Sequence, residues 1–144
     1  MSSEDDDGML INDMFTAMDW QNVDYTLFFR RLADAALGQD DELVSLFDDG
    51  DKIRAWLKLW HDRLLRDPLG PSERAKAMNR VNPVYIPRNH RVEEALNSAE
   101  AGEMSLFSKL LDVLSDPFTK RDGLEGYEGP APDDFGPYKT FCGT

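Results

Sequence analysis

Residues 52–66, KIRAWLKLWHDRLLR, constrain this chain most. Ile53, Trp56, Leu57, Trp60 and Leu64 recur at helical spacing, so a helix here carries two tryptophans on one apolar stripe. Rings of that size require a large buried partner surface. The same period runs through the rest of the chain, and no sustained strand-type alternation appears. Leu10, Met14 and Met18 mark a short helix over 9–19. Asp24 is placed to cap a helix carrying Tyr25, Phe28, Phe29, Leu32 and Ala36 and ending at Gly38. A short turn, ELVSLF, follows Asp41, and DDGD leads into the tryptophan helix, with Arg54 and Arg63 outside its stripe. Asp67-Pro68 and Gly70-Pro71 end that helix. Ser72 reads as the cap of SERAKAMNRV. Val92, Ala95, Leu96 and Ala99 make one face of the next helix, which Gly102 stops. Leu106, Phe107, Leu110, Leu111 and Leu114 make the inward face of the last, which Pro117 breaks.

The expected fold class is therefore all-α, an irregular bundle of five to seven helices with an extended Pro/Gly-rich C-terminal tail. Residues 1–8 read as an acidic disordered start and 9–116 as the helical body. Residues 117–144 read as an irregular tail whose Phe118, Tyr127, Phe135, Tyr138 and Phe141 anchor it.

The formal charge of −12 argues against a nucleic-acid groove, because phosphate contact needs clustered cations. Most of that charge sits at the two ends, in Glu4 to Asp7 and beyond Asp122, so the body is only mildly acidic. No apolar run suits a bilayer span, and the acidic N-terminus is unlike a signal peptide. The lone cysteine, Cys142, excludes an internal disulfide and fits a reducing compartment, with cytoplasm the default.

Catalytic patterns fail one by one. FDDGDKIRAW lacks the alternating acids and terminal glutamate of a calcium loop. The triplet Asp134-Phe135-Gly136 spells a kinase metal-binding signature but has no catalytic loop upstream. His61 and His90 have no partner at metal-ligand spacing, and Glu93-Glu94 point to different sides of a helix. Cys142 reads equally as a reactive thiol and as an unremarkable tail residue. No catalytic, cofactor-binding or metal-binding residue is assigned in this chain.

Residues 78–90, MNRVNPVYIPRNH, resist a simple reading. Asn82 before Pro83 suits a helix stop and Asn89 a helix cap. Tyr85 and Ile86 are apolar enough to pack inward, and Arg88 offers a rigid fork. A structural latch built from Asn82, Pro83, Tyr85, Arg88 and Asn89 is the favoured reading, with a ligand loop as its rival.

These residues carry a family resemblance. Met78, Val81, Asn82, Pro83, Tyr85, Arg88 and Asn89 fall in the register of the C-terminal region of the selenoprotein O (YdiU) family. VDYTLFFRRLADA, the LFDD turn, GYEGPAPDDFG and a cysteine near the end resemble it too. Four positions depart: Pro87 replaces an aliphatic residue, His90 an aromatic one, and Gly143-Thr144 follow the cysteine where two serines are usual. The resemblance implies a C-terminal piece of a protein adenylyltransferase with a kinase-like fold. Such an enzyme moves AMP from ATP to protein hydroxyls with a divalent metal such as magnesium. It also implies an upstream catalytic lobe as partner, protein substrates for the whole enzyme, and Cys142 as a candidate redox residue. A stand-alone acidic helical adaptor and a redox-sensing tail module are the alternatives. On the family reading, faces shaped against the catalytic lobe stay open in this chain, so it is expected to bind a hydrophobic dye or self-associate.

Overall fold

The computed structural model describes residues 6–132. The described residues contain seven α-helices and no strand. The chain divides into two compact units, Met1–Asn82 and Pro83–Thr144.

Unit 1 contains α1 (Asp7–Met18), α2 (Tyr25–Ala35), α3 (Asp41–Val44), α4 (Asp51–Leu64) and α5 (Pro71–Val81). The tryptophan stripe is its organising surface: Ile53, Trp56, Leu57, Trp60 and Leu64 are all buried in one cluster. Trp56 and Trp60 stack at 5.7 Å, and Phe28 meets Trp56 at 6.4 Å and Phe47 at 6.1 Å. The Trp56 indole N–H donates to the Leu10 carbonyl at 2.7 Å, tying α4 to α1. Met14 and Met18 complete the contact from the α1 side. In α2, Phe28, Leu32 and Ala36 are buried as the spacing implies, whereas Tyr25 is half exposed and pairs only with Phe15.

Capping follows the sequence in one place and departs from it in another. The Asp24 carboxylate accepts from the Leu27 N–H at 2.8 Å, so α2 has the expected cap. Asp24→Ala is expected to lower the stability of unit 1 by about 1 kcal/mol, read as a shift of the urea midpoint. At α5 the cap is Gly70 in extended backbone with Pro71 as first helical residue, and Ser72 lies inside the helix. Proline wins that position because its fixed φ suits the first turn and its missing N–H costs nothing there.

Arg63 departs from the surface position its sequence context suggests. It is 2% exposed, and its Nε and Nη2 reach Asp7 Oδ1 and Oδ2 at 2.7 and 3.2 Å. This bidentate pair fixes the start of α1 against α4, and breaking such a pair leaves a buried charge uncompensated. Arg74 is buried too, donating to the carbonyls of Leu64, the last residue of α4, and of Leu69 after it.

Unit 2 contains α6 (Asn89–Glu100), α7 (Ser105–Ser115) and one 3-10 turn, Glu125–Tyr127. Gly102, at φ +87°, makes the turn between its two helices, a conformation that favours glycine. The helices pack on each other but bury little: Ala95 from α6, Leu110 and Val113 from α7. Leu96, Leu106 and Leu111, expected to face inward, are 49%, 44% and 56% exposed. The core cluster of unit 2 is Val84, Tyr85, Val113 and Leu124, with Leu114 and Tyr127 against it.

Candidate functional site

The segment that opens unit 2 is the most densely bonded irregular stretch in it. Val84 and Tyr85 both donate their backbone N–H to the Pro117 carbonyl, at 2.7 and 3.2 Å. The Tyr85 ring is 1% exposed, and its hydroxyl bonds the Arg121 backbone twice. It accepts from the Arg121 N–H at 2.9 Å and donates to the Arg121 carbonyl at 3.3 Å. The Arg121 guanidinium lies 5.8 Å from the Tyr85 ring centroid. Its Nη2 reaches the Asp112 and Val113 carbonyls at 2.9 and 3.0 Å, satisfying acceptors in the last turn of α7.

Two more arginines extend the clasp. Arg88 Nη2 donates to the Glu128 carbonyl at 2.6 Å. Arg91 donates through Nε and Nη2 to the Gly126 carbonyl, at 3.0 and 2.7 Å, with its guanidinium 5.3 Å from the Tyr127 ring centroid. Residues 84–91 therefore hold residues 117–128 almost entirely through backbone carbonyls. That chemistry fixes a chain path.

The sequence-chosen residues separate. Tyr85 and Arg88 stand together in the clasp. Asn82 belongs to unit 1, where it follows the last residue of α5 and its carbonyl accepts from Arg30 at 3.0 Å. Pro83 is the first residue of unit 2. Asn89 is exposed and is the first helical residue of α6, while Arg88 occupies the cap position without a side-chain cap bond. Arg88 is in extended backbone, and Pro87 before it disfavours helical backbone at Ile86, so α6 starts no earlier. Sequence reasoning missed Arg91 and Arg121, whose only signal was a cation placed near an aromatic-rich tail. Cys142 lies outside the described residues.

His90 is 4% exposed, which fits the aromatic character expected at that position. Burial first, then the neighbouring Arg91 charge and last that of Arg88, pull its pKa below the ordinary 6.5, against an opposing pull of Glu94 that exceeds the Arg88 contribution. A depressed folded pKa makes the unfolded chain bind the proton first. His90 therefore leaves stability intact above about pH 6.5 and lowers it as pH falls below that value. His90→Gln is expected to flatten the acid-side loss of unit 2 stability. Urea titrations followed by the NMR amide signals of α6 and α7 at a series of pH values check this.

Among the described residues no group of three or more His, Cys, Asp or Glu side chains could hold a metal ion. None of the helices there is long and apolar enough to cross a membrane.

Comparison with known proteins decides the lineage. The sequence profile of the family described as protein adenylyltransferase SelO matches residues 1–115. The chain belongs to the selenoprotein O family. It corresponds to a C-terminal region of that family's proteins. It is similar to the protein nucleotidyltransferase YdiU of Cereibacter sphaeroides, 47% identical over 143 residues, 99% of this chain and 28% of the relative. The YdiU of Sphingopyxis alaskensis is 43% identical over 143 residues, 99% of this chain and 29% of the relative. That of Chromobacterium violaceum is 46% identical over 142 residues, 97% of this chain and 30% of the relative. The chain thus spans less than a third of the length of these selenoprotein O relatives.

Proposed function

We propose that this chain is the helical C-terminal region that buttresses the catalytic part of a protein adenylyltransferase, and that the 84–91 clasp is its structural latch. The observation that carries the reading is the end-to-end match to one segment of longer nucleotidyltransferases, 99% of this chain against 28% of the relative. The relatives are named for nucleotidyl transfer and the family for adenylyl transfer. The whole enzyme's chemistry would move AMP from ATP to protein Ser, Thr or Tyr hydroxyls, with a divalent metal such as magnesium. On this reading ATP and that metal belong to the remaining part of the protein.

Two features support a buttress. The clasp spends its cations on carbonyls of its own chain, and α7 leaves Leu106 and Leu111 exposed as a face for a covering surface. Protein substrates, a kinase-like catalytic lobe, a cytoplasmic setting and a redox role for Cys142 belong to the same proposal.

A labelled-ATP assay tests it. The isolated chain transfers no AMP, the full-length Cereibacter sphaeroides relative does, and deleting the matched region from that relative abolishes transfer. Full transfer by the deletion variant, or transfer by this chain alone, would overturn the reading. For the redox part, an oxidant-induced mobility change on a non-reducing gel of the full-length protein disappears with Cys142→Ser; unchanged mobility removes that role.

A further inference from the structure

Unit 1 leaves part of its core open. α1 packs on α4 and α5 on α2, and a groove of about 550 Å³ is lined by residues of all four helices. Phe29, Leu32, Trp56 and Trp60 line it from α2 and α4. Ile11 and Phe15 of α1 and Val81 of α5 line it too, and these three are 49%, 43% and 72% exposed. Single exposed apolar residues are ordinary on a protein surface. A contiguous apolar lining that includes core aromatics is not, and it marks a contact surface.

The shape and charge select the occupant. A trough lined by helices suits an amphipathic helix that lays apolar residues at i, i+3 or i+4, and i+7 into it. A second cleft shares Asp7 and Leu10 with the groove, and Asp6, Asp13 and Asp62 line it as well. Of the two arginines lining that cleft, Arg63 is committed to Asp7, and Arg66 lines it beside Asp6, Asp13 and Asp62. This acidic border favours basic residues along the flank of the incoming helix. It disfavours a second copy of this chain docked groove to groove, which would set the same Asp6, Asp13 and Asp62 border against itself. The relatives also hold more than two-thirds of their length outside the matched region, which supplies the segment.

We propose that the groove between α1, α2, α4 and α5 receives an amphipathic helix with a basic flank, contributed by the part of the family protein outside this chain. The proposal rests on the buttress reading and names the unit 1 surface that serves it.

Thiol accessibility tests it. Ile11→Cys and Val81→Cys report on the groove, and Leu111→Cys reports on the α7 face of unit 2. Alkylation rates, resolved by peptide mass spectrometry, are compared in this chain and at the aligned positions of the full-length Cereibacter sphaeroides relative. The groove positions are expected to react fast in this chain and about tenfold or more slowly in the relative. If they react equally fast in both while Leu111→Cys is slowed, the groove assignment falls and the buttress reading stands. If all three stay fast, both fall. Groove positions that are slow in this chain, increasingly so with its concentration, would make a second copy the occupant and overturn the proposal.

Discussion

Phe28→Ala is expected to unfold most of unit 1. The ring is fully buried and touches Phe29 edge-on at 5.3 Å, Phe47 at 6.1 Å and Trp56 at 6.4 Å. It therefore joins α2 to the turn after α3 and to the tryptophan stripe of α4. Truncating a buried phenylalanine costs about 3–5 kcal/mol through lost transfer and the cavity left behind. Three aromatic neighbours add to that, each pair contributing roughly 0.5–1.5 kcal/mol beyond its area. A small domain has about 5–15 kcal/mol in total, and one of this size lies toward the lower end. Tryptophan fluorescence reads the outcome directly, because Trp20, Trp56 and Trp60 all belong to unit 1. Phe28→Leu keeps most of the volume and is expected to cost less than half as much. A Phe28→Ala urea midpoint equal to wild type would show that α2 packs elsewhere.

Helical period was enough to place the interior of unit 1, and the reason lies in the tryptophan stripe. Five residues at helical spacing can point in one direction only, and two indoles leave no alternative to burial. Arg63 shows where that reasoning stops. Its position beside the stripe suggested solvent, yet its partner Asp7 lies far away in sequence, and periodicity carries no information about such a pairing. The α7 leucines fail for a different reason. The helix carries one broad apolar face opposite Ser105, Ser108, Lys109 and Asp112, and its sequence states how much it can bury without stating what lies opposite. Leu110 and Val113 are buried, and Leu106 and Leu111 stay about half exposed. The segment was legible as a peculiarity of composition: Tyr85 is buried as its apolar ring implies, and the Arg88 fork donates to a carbonyl. Their acceptors were not legible, because backbone carbonyls of Arg121 and Glu128 leave no mark in a side-chain pattern. Cap positions shifted by one or two residues at Ser72 and Asn89, the ordinary scatter of helix ends.

Tyr85→Ala is expected to dismantle unit 2 and leave unit 1 standing. The core cluster of unit 2 has four members, and Tyr85 is the largest of them. Removing the ring deletes the surface on which Val84, Val113 and Leu124 close. It also removes the hydroxyl that pairs with both backbone groups of Arg121. The ring costs about 3–5 kcal/mol by analogy with other buried aromatics. So small a core rarely supplies more than that in total. Hydrogen exchange should show the α6 and α7 amides losing nearly all protection. The urea transition followed by tryptophan fluorescence should stay at the wild-type midpoint, since every tryptophan is in unit 1. Tyr85→Phe separates the two contributions. It keeps the ring and loses only the hydroxyl bonds, a penalty of about 1–2 kcal/mol that weakens protection without abolishing it. If Tyr85→Ala lowers the tryptophan midpoint as far as it lowers α6 protection, the two units fold as one cooperative body. If α6 and α7 keep their protection, the clasping arginines rather than the tyrosine core hold the tail, and Arg121→Ala becomes the variant that releases it.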